Sequence, residues 1–230
     1  MKGLFFPIPN TRQLQLCKET VAELITFGLQ QIDRQNATTS GAFVGEETYC
    51  VGSTLHRGAY YPSPVYDLIV GNNKRGRIVR QAKNGAKITH RYLYDQENQL
   101  YQVEHIYMDR VSYTETLFRN QDEILGVTVD NQGRLAAVTR EIYQDQRLRS
   151  FVILNCCDIG NGSECYDYLQ EDYDYDADGL CGCRFITVHP GSNYLSDDYY
   201  EFERLDGYLT AYKNRLDPGT RYLISKKRKA

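Results

Sequence analysis

Tryptophan is absent from the 230 residues, methionine occurs twice, and histidine only four times. No apolar run approaches the length that spans a bilayer, which excludes a membrane helix of ordinary type. The four histidines, His56, His90, His105 and His189, are scattered. The chain contains no His-Glu-x-x-His, no Gly-x-Ser-x-Gly, no phosphate loop and no dinucleotide fingerprint. Those absences remove the common zinc protease, serine hydrolase, nucleotide hydrolase and dehydrogenase readings. A basic excess is missing too: the net charge is −3 and the pI about 5.8, which argues against general nucleic-acid affinity. The start, Met1-Lys-Gly-Leu-Phe-Phe-Pro-Ile-Pro9, has too short an apolar run for a secretory signal, and proline interrupts it. Cytoplasmic residence is the expectation. Seven cysteines, an odd count without such a signal, fit reduced thiols better than a disulfide framework.

What the chain does have is rhythm. From Lys87 to Lys213, short alternating segments are broken by turn signals such as Gln96-Glu-Asn98, Asp130-Asn-Gln-Gly133, Ala177-Asp-Gly179 and Leu205-Asp-Gly207. Alternation places Tyr101, Val103, His105 and Tyr107 on one face of a strand. Segments this close leave no room for crossover helices, so neighbours pair antiparallel. Twenty tyrosines suit a half-wet sheet, because each packs a ring and keeps a hydroxyl in water. With Glu97-Asn98 at the centre of a hairpin, His90 and His105 fall directly opposite each other.

The fold expected is mainly β: a long antiparallel β-meander of about ten or more strands, with one N-terminal amphipathic helix packed on the sheet. A single domain is expected, with a helical lead-in and loop over 1–45, the meander over 46–214 and a solvated tail over 215–230. Residues 1–9 read as an extended lead-in. Asn10 is a candidate N-cap, and Leu14, Cys17, Val21, Leu24, Gly28 and Ile32 form a buried stripe of a helix reaching about Asp33. That helix covers the sheet or pairs with another copy. Residues 36–45 read as a loop, Thr48–Leu55 and Val65–Val70 as strands, and Gly71–Gly76 as a turn. Asp158–Gly162 and His189–Asn193 interrupt the meander as loops. Lys74, Arg75, Arg77, Arg80, Lys83 and Lys87 form a basic cluster, read as a solvated hairpin face or a patch for an acidic group.

Arg91-Tyr-Leu-Tyr-Asp-Gln-Glu-Asn-Gln-Leu100 and Asp172-Tyr-Asp-Tyr-Asp-Ala-Asp-Gly-Leu180 resemble the tyrosine–aspartate repeat, and Asp130-Asn-Gln-Gly-Arg-Leu135 its turn half. The resemblance implies sheets that enclose or bind toxic polypeptides, hence polypeptide binding without chemistry.

The most unusual composition lies in one stretch. Glu164, Asp167, Glu171, Asp172, Asp174, Asp176 and Asp178 occur without an intervening Lys or Arg, and Tyr166, Tyr168, Tyr173 and Tyr175 run among them. Carboxylates this dense call for a cation or a basic partner. Asp174-x-Asp176-x-Asp178-Gly179 opens like a calcium loop, but Phe185 stands where the bidentate glutamate belongs. The alternative is a hairpin turn. Cys156, Cys157, Cys165, Cys181 and Cys183 cluster as well, but not as paired zinc knuckles.

The reading that follows is a non-enzymatic protein-binding protein with no cofactor and no metal. Its expected contact surface comprises Glu164, Asp167, Glu171, Asp172, Tyr173, Asp174, Tyr175, Asp176 and Asp178. A rigid acidic, aromatic face steers a basic partner toward itself. The profile resembles immunity proteins of bacterial polymorphic toxins, which implies a basic toxin domain as partner, and neither nucleic acid nor membrane. The alternatives are a metal-dependent hydrolase using the acidic loop and a histidine, and a structural fragment of a repeat shell.

Overall fold

A computed structural model describes residues 11–37, 45–81, 85–157, 165–188 and 195–229. The lead-in over 1–9, the Asn10 cap, most of the 36–45 loop, Lys83, the loops at 158–162 and 189–193, and Glu164 lie outside these residues.

The chain begins with α1 (Thr11–Ala37) and β1 (Glu47–Val51). Next come a 3-10 turn at Gly58–Tyr60, the short α2 (Tyr66–Ile69) and β2 (Arg77–Val79). The meander follows: β3 (Ile88–Tyr94), β4 (Leu100–Tyr107), β5 (Arg110–Asn120), β6 (Glu123–Asp130), β7 (Leu135–Gln144) and β8 (Arg147–Cys157). It continues with β9 (Cys165–Asp176), β10 (Gly179–Val188), β11 (Leu195–Leu205), β12 (Tyr208–Asn214) and β13 (Asp217–Lys229). These strands form one open antiparallel sheet of 13 strands, in sequential order from β13 to β3, then β1 and β2.

The turns explain the regularity. Asp95 and Asp130 each accept two backbone N–H bonds from the turn they open, and Asn98 and Gly133 supply positive φ. Three two-residue turns place both central residues at positive φ: Met108-Asp109, Asp145-Gln146 and Asp206-Gly207. That geometry matches the twist of the flanking strands.

Two departures from the sequence reading concern apolar and charged ends. Val65–Val70 is no strand: its centre is the helical turn α2. The residues expected as a tail over 215–230 instead supply β13, which pairs antiparallel with β12. Tyr222, Leu223 and Ile224 give that segment strand character that its cationic end obscured.

Both faces of the central sheet are covered. On one, Leu14, Cys17, Val21 and Leu24 of α1 pack with Val127, Val138, Val152, Leu154, Tyr168 and Ile186. Gly28 lets the helix approach closely, since a Cβ there would sit 3.0 Å from both Leu135 and Val138 side chains. On the other, Leu55, Tyr61 and Val65 pack with Phe151, Ile153, Tyr173 and Phe202. Residues 151 to 154 thus alternate between the two cores, as the pleat requires.

The second cover is the excursion 52–76, which leaves β1 and returns to its neighbour β2. Its base is closed by Thr54 and Lys74: the Thr54 N–H donates to the Lys74 carbonyl at 2.9 Å, and the Lys74 N–H to Thr54 Oγ1 at 2.8 Å. Arg75 braces its middle, donating to the carbonyls of Tyr61 and Ser63 and to Asp67. This member of the basic cluster is therefore committed to the fold. At the far end, the Tyr212 hydroxyl donates to the Leu68 carbonyl at 3.0 Å.

Candidate functional site

The excursion carries His56 and Arg57 onto the sheet. Gly58 follows them at φ +61, where a Cβ would meet the Tyr92 hydroxyl at 2.3 Å. Tyr92, on β3, grips this turn: it accepts from the Ala59 N–H at 2.8 Å and donates to the Arg57 carbonyl at 3.1 Å.

Arg57 is 3% exposed and is surrounded by acceptors. Its Nε donates to Glu115 Oε2 at 2.9 Å and its Nη2 to Glu115 Oε1 at 2.7 Å. Nη2 also donates to Thr139 Oγ1 at 2.9 Å, and Nη1 donates to Glu141. Glu115 on β5 is fully buried, and Glu141 on β7 is 3% exposed. Burial works against ionising both partners, but their attraction outweighs it. The guanidinium is held above its ordinary value, and Glu115 well below the usual carboxylate range by Arg57 and His56.

Gly126 on β6 makes room for this network. A Cβ there would lie 2.2 Å from Glu115 Oε1 and 2.3 Å from Thr139 Oγ1. Gly126→Ala is expected to destabilise the protein by about 1–3 kcal/mol in equilibrium denaturation. Gly182→Ala is expected to cost less, because its 2.0 Å contact is the hydroxyl end of partly buried Tyr199, which can swing away at the loss of its hydrogen bond to Asp174.

Beside the network stand three imidazoles. His90 on β3 pairs with His105 on β4, the register the turn geometry predicts, with ring centroids 4.7 Å apart. His56 lies 4.9 Å from His105 by the same measure. His90 Nε2 is 3.2 Å from the His56 carbonyl, which only accepts, so this nitrogen carries the proton. His56 Nε2 is 3.2 Å from Thr128 Oγ1 and 3.7 Å from Glu115 Oε2. His105 Nε2 is buried without a hydrogen-bond partner among the described residues. Burial, reinforced for His105 by the neighbouring histidines, pushes His90 down to about 4 and His105 down to about 2. Both are neutral near pH 7. The rings line a cavity of about 720 Å³ that also contacts Thr89, Ser112, Tyr113, Thr128 and Cys156.

The acidic stretch is split by the pleat. Glu171 is fully buried and Tyr173 is 3% exposed, both against the excursion, so neither is available to a partner; this corrects the surface expected from the sequence. Tyr175 is partly buried on that same face. Asp172, Asp174 and Asp176 occupy the opposite face. Asp172 accepts from Ser150 and Gln170. Asp174 accepts from the Tyr199 hydroxyl at 2.6 Å, and Asp176 takes both arms of Arg204 at 2.5 Å. Hydroxyl and amide donors and one arginine of the same chain thus solvate these carboxylates in cis, a solution mostly supplied from other strands and so invisible in the local sequence. Asp174, Asp176 and Asp178 end a hairpin whose Asp176 Oδ1 accepts the Asp178 N–H. Asp167 is exposed near the far end of β9. Among the described residues, the metal-capable cluster is instead His56, His105 and Glu115.

Sequence reasoning paired His90 with His105 but missed His56, Arg57, Glu115 and Glu141. One signal was present: Glu115 shares its strand parity with Leu117, and Glu141 with Ala137 and Thr139, so each carboxylate sits in a core-facing row. No family model, no curated protein and no solved structure matches this chain.

Proposed function

We propose that this chain is a non-catalytic protein-binding protein that receives a strand of its partner along β13. The observation that carries this reading is the character of that edge. Tyr222 is 43% and Leu223 72% exposed, and consecutive strand residues face opposite ways, so both faces of the edge are apolar there. An edge strand offers unpaired N–H and C=O groups as a template for an incoming strand. Exposed apolar side chains on each face then add contact area. Leu216, 74% exposed in the preceding turn, lengthens the patch.

The narrower reading is a cytoplasmic immunity protein that neutralises a basic toxin domain. The exposed carboxylates Asp174, Asp176 and Asp178 favour it. Under that reading a partner's cations displace Arg204 from Asp176 and the Tyr199 hydroxyl from Asp174.

Affinity capture from the native cell with three proteins separates the two surfaces. Leu223→Arg is expected to lose the partner that wild-type protein retains, at least tenfold by yield. Asp174→Lys with Asp176→Lys is expected to keep it. The reverse pattern would move the contact to the acidic hairpin.

A further inference from the structure

Independently of the docking surface, we propose that His56, His105 and Glu115 bind a divalent transition-metal ion of the zinc class. One ligand atom from each lies within 4.8 Å of the others, and His56 Nε2 is already 3.7 Å from Glu115 Oε2. Ligand atoms that share such an ion at about 2.0–2.2 Å stand roughly 3–4 Å apart. Small side-chain rotations close the remaining gap.

Proximity alone would be weak, but three further observations converge. The first is the orphaned His105 Nε2, buried and without a hydrogen-bond partner among the described residues. The Nδ1–H tautomer puts a lone pair there, and an ion on that lone pair ends an otherwise costly isolation. The second is charge. Among the described residues, Arg57 is the one arginine paired with both Glu115 and Glu141, so with His56 neutral the buried cluster carries one negative charge in excess. A divalent cation beside Glu115 more than offsets that excess, and the one positive charge left over is what lowers the pKa of water at its open positions. The third is support. Glu115 is oriented by Arg57 and Thr139, and the His56 turn by His90 and Tyr92. Ligands held from behind in this way lose little freedom on binding an ion.

The strand pairing explains how the ligands meet. His105 is opposite Tyr113, so Glu115 lies two residues further along the same face of β5. The excursion lowers His56 onto that pair. Two imidazoles and one carboxylate suit zinc, cobalt or nickel, whereas calcium and magnesium prefer oxygen alone. The adjoining cavity gives access and leaves room for water at the open positions. Cys156 lines the same cavity, so a sulfur ligand is the competing arrangement.

Titration of the full chain with Co²⁺, followed by visible absorption and equilibrium dialysis, tests the site. One equivalent per chain is expected to saturate it, with d–d bands and no sulfur-to-cobalt charge-transfer band. His56→Asn is expected to weaken binding at least about tenfold, while Asp174→Asn with Asp176→Asn leaves it unchanged. Absent saturation, a charge-transfer band, or undiminished binding by His56→Asn would each overturn the assignment. Imidazole NMR of wild-type protein with Zn²⁺ keeps the test independent of variant folding. The His56 and His105 ring signals are expected to shift together; shifts confined to His90 or His189 would also overturn it.

Discussion

Arg57→Met is expected to lower the unfolding free energy by about 3–5 kcal/mol, read from urea denaturation at neutral pH. The substitution keeps most of the side-chain volume but strips Glu115 and Glu141 of the one cation they share, with both carboxylates buried. The loss measures stranded charge more than it measures the pair. Accordingly, Arg57→Met combined with Glu115→Gln and Glu141→Gln is expected to recover most of the stability. Arg221→Met, which breaks a solvent-exposed pair with Glu203, is expected to cost far less, because water screens that pair and solvates the carboxylate left behind. Equal losses for the two arginine variants would show that the excursion is not anchored through Arg57.

Glu171 is expected to give the molecule an inverted pH profile. Its Oε2 accepts from Ser63 at 2.5 Å and from Tyr173 at 2.8 Å, but its Oε1 has no hydrogen-bond partner among the described residues and the residue is fully buried. Burial raises its pKa from 4.5 to about 7, against the lowering effect of those two hydroxyls. A raised folded-state value means that the folded chain holds the proton more tightly than the unfolded chain. The two states are equal below 4.5. Between 4.5 and about 7 only the unfolded state releases the proton, so stability falls as pH rises. Above about 7 the loss levels off at about 3 kcal/mol, taking about 1.4 kcal/mol per pH unit. The difference in stability between wild type and Glu171→Gln, measured from pH 4.5 to 8.5, isolates this contribution. Wild type is expected to lose ground to the variant between pH 4.5 and about 7 and to hold a constant deficit from there to 8.5; a constant difference over the whole range would contradict it.

The sheet was legible because its signals are local. Asp95, Asp130 and Asp206-Gly207 mark turns by their own chemistry, and the strands between them follow from spacing. The in-register pair of His90 and His105 followed from the same counting. The α1 stripe was equally readable, down to Gly28, because a helix repeats its buried face every three or four residues. What the sequence concealed depends on partners far along the chain. Arg57 meets Glu115 and Glu141 across separations of 58 and 84 residues, and nothing near Arg57 announces them. Glu171 and Asp172 are adjacent acidic residues of one strand, yet the pleat buries the first and turns the second to the other face. Counting charge over the stretch merged the two. The excursion that divides their fates was itself read as strands and turns, because Val65–Val70 is apolar enough for either.

Binding along β13 is most directly tested by hydrogen–deuterium exchange of the chain with and without its captured partner. Slowed exchange concentrated in the amides of 217–224 is the predicted result. Protection of the 172–178 hairpin, with β13 unchanged, would contradict the edge-strand account.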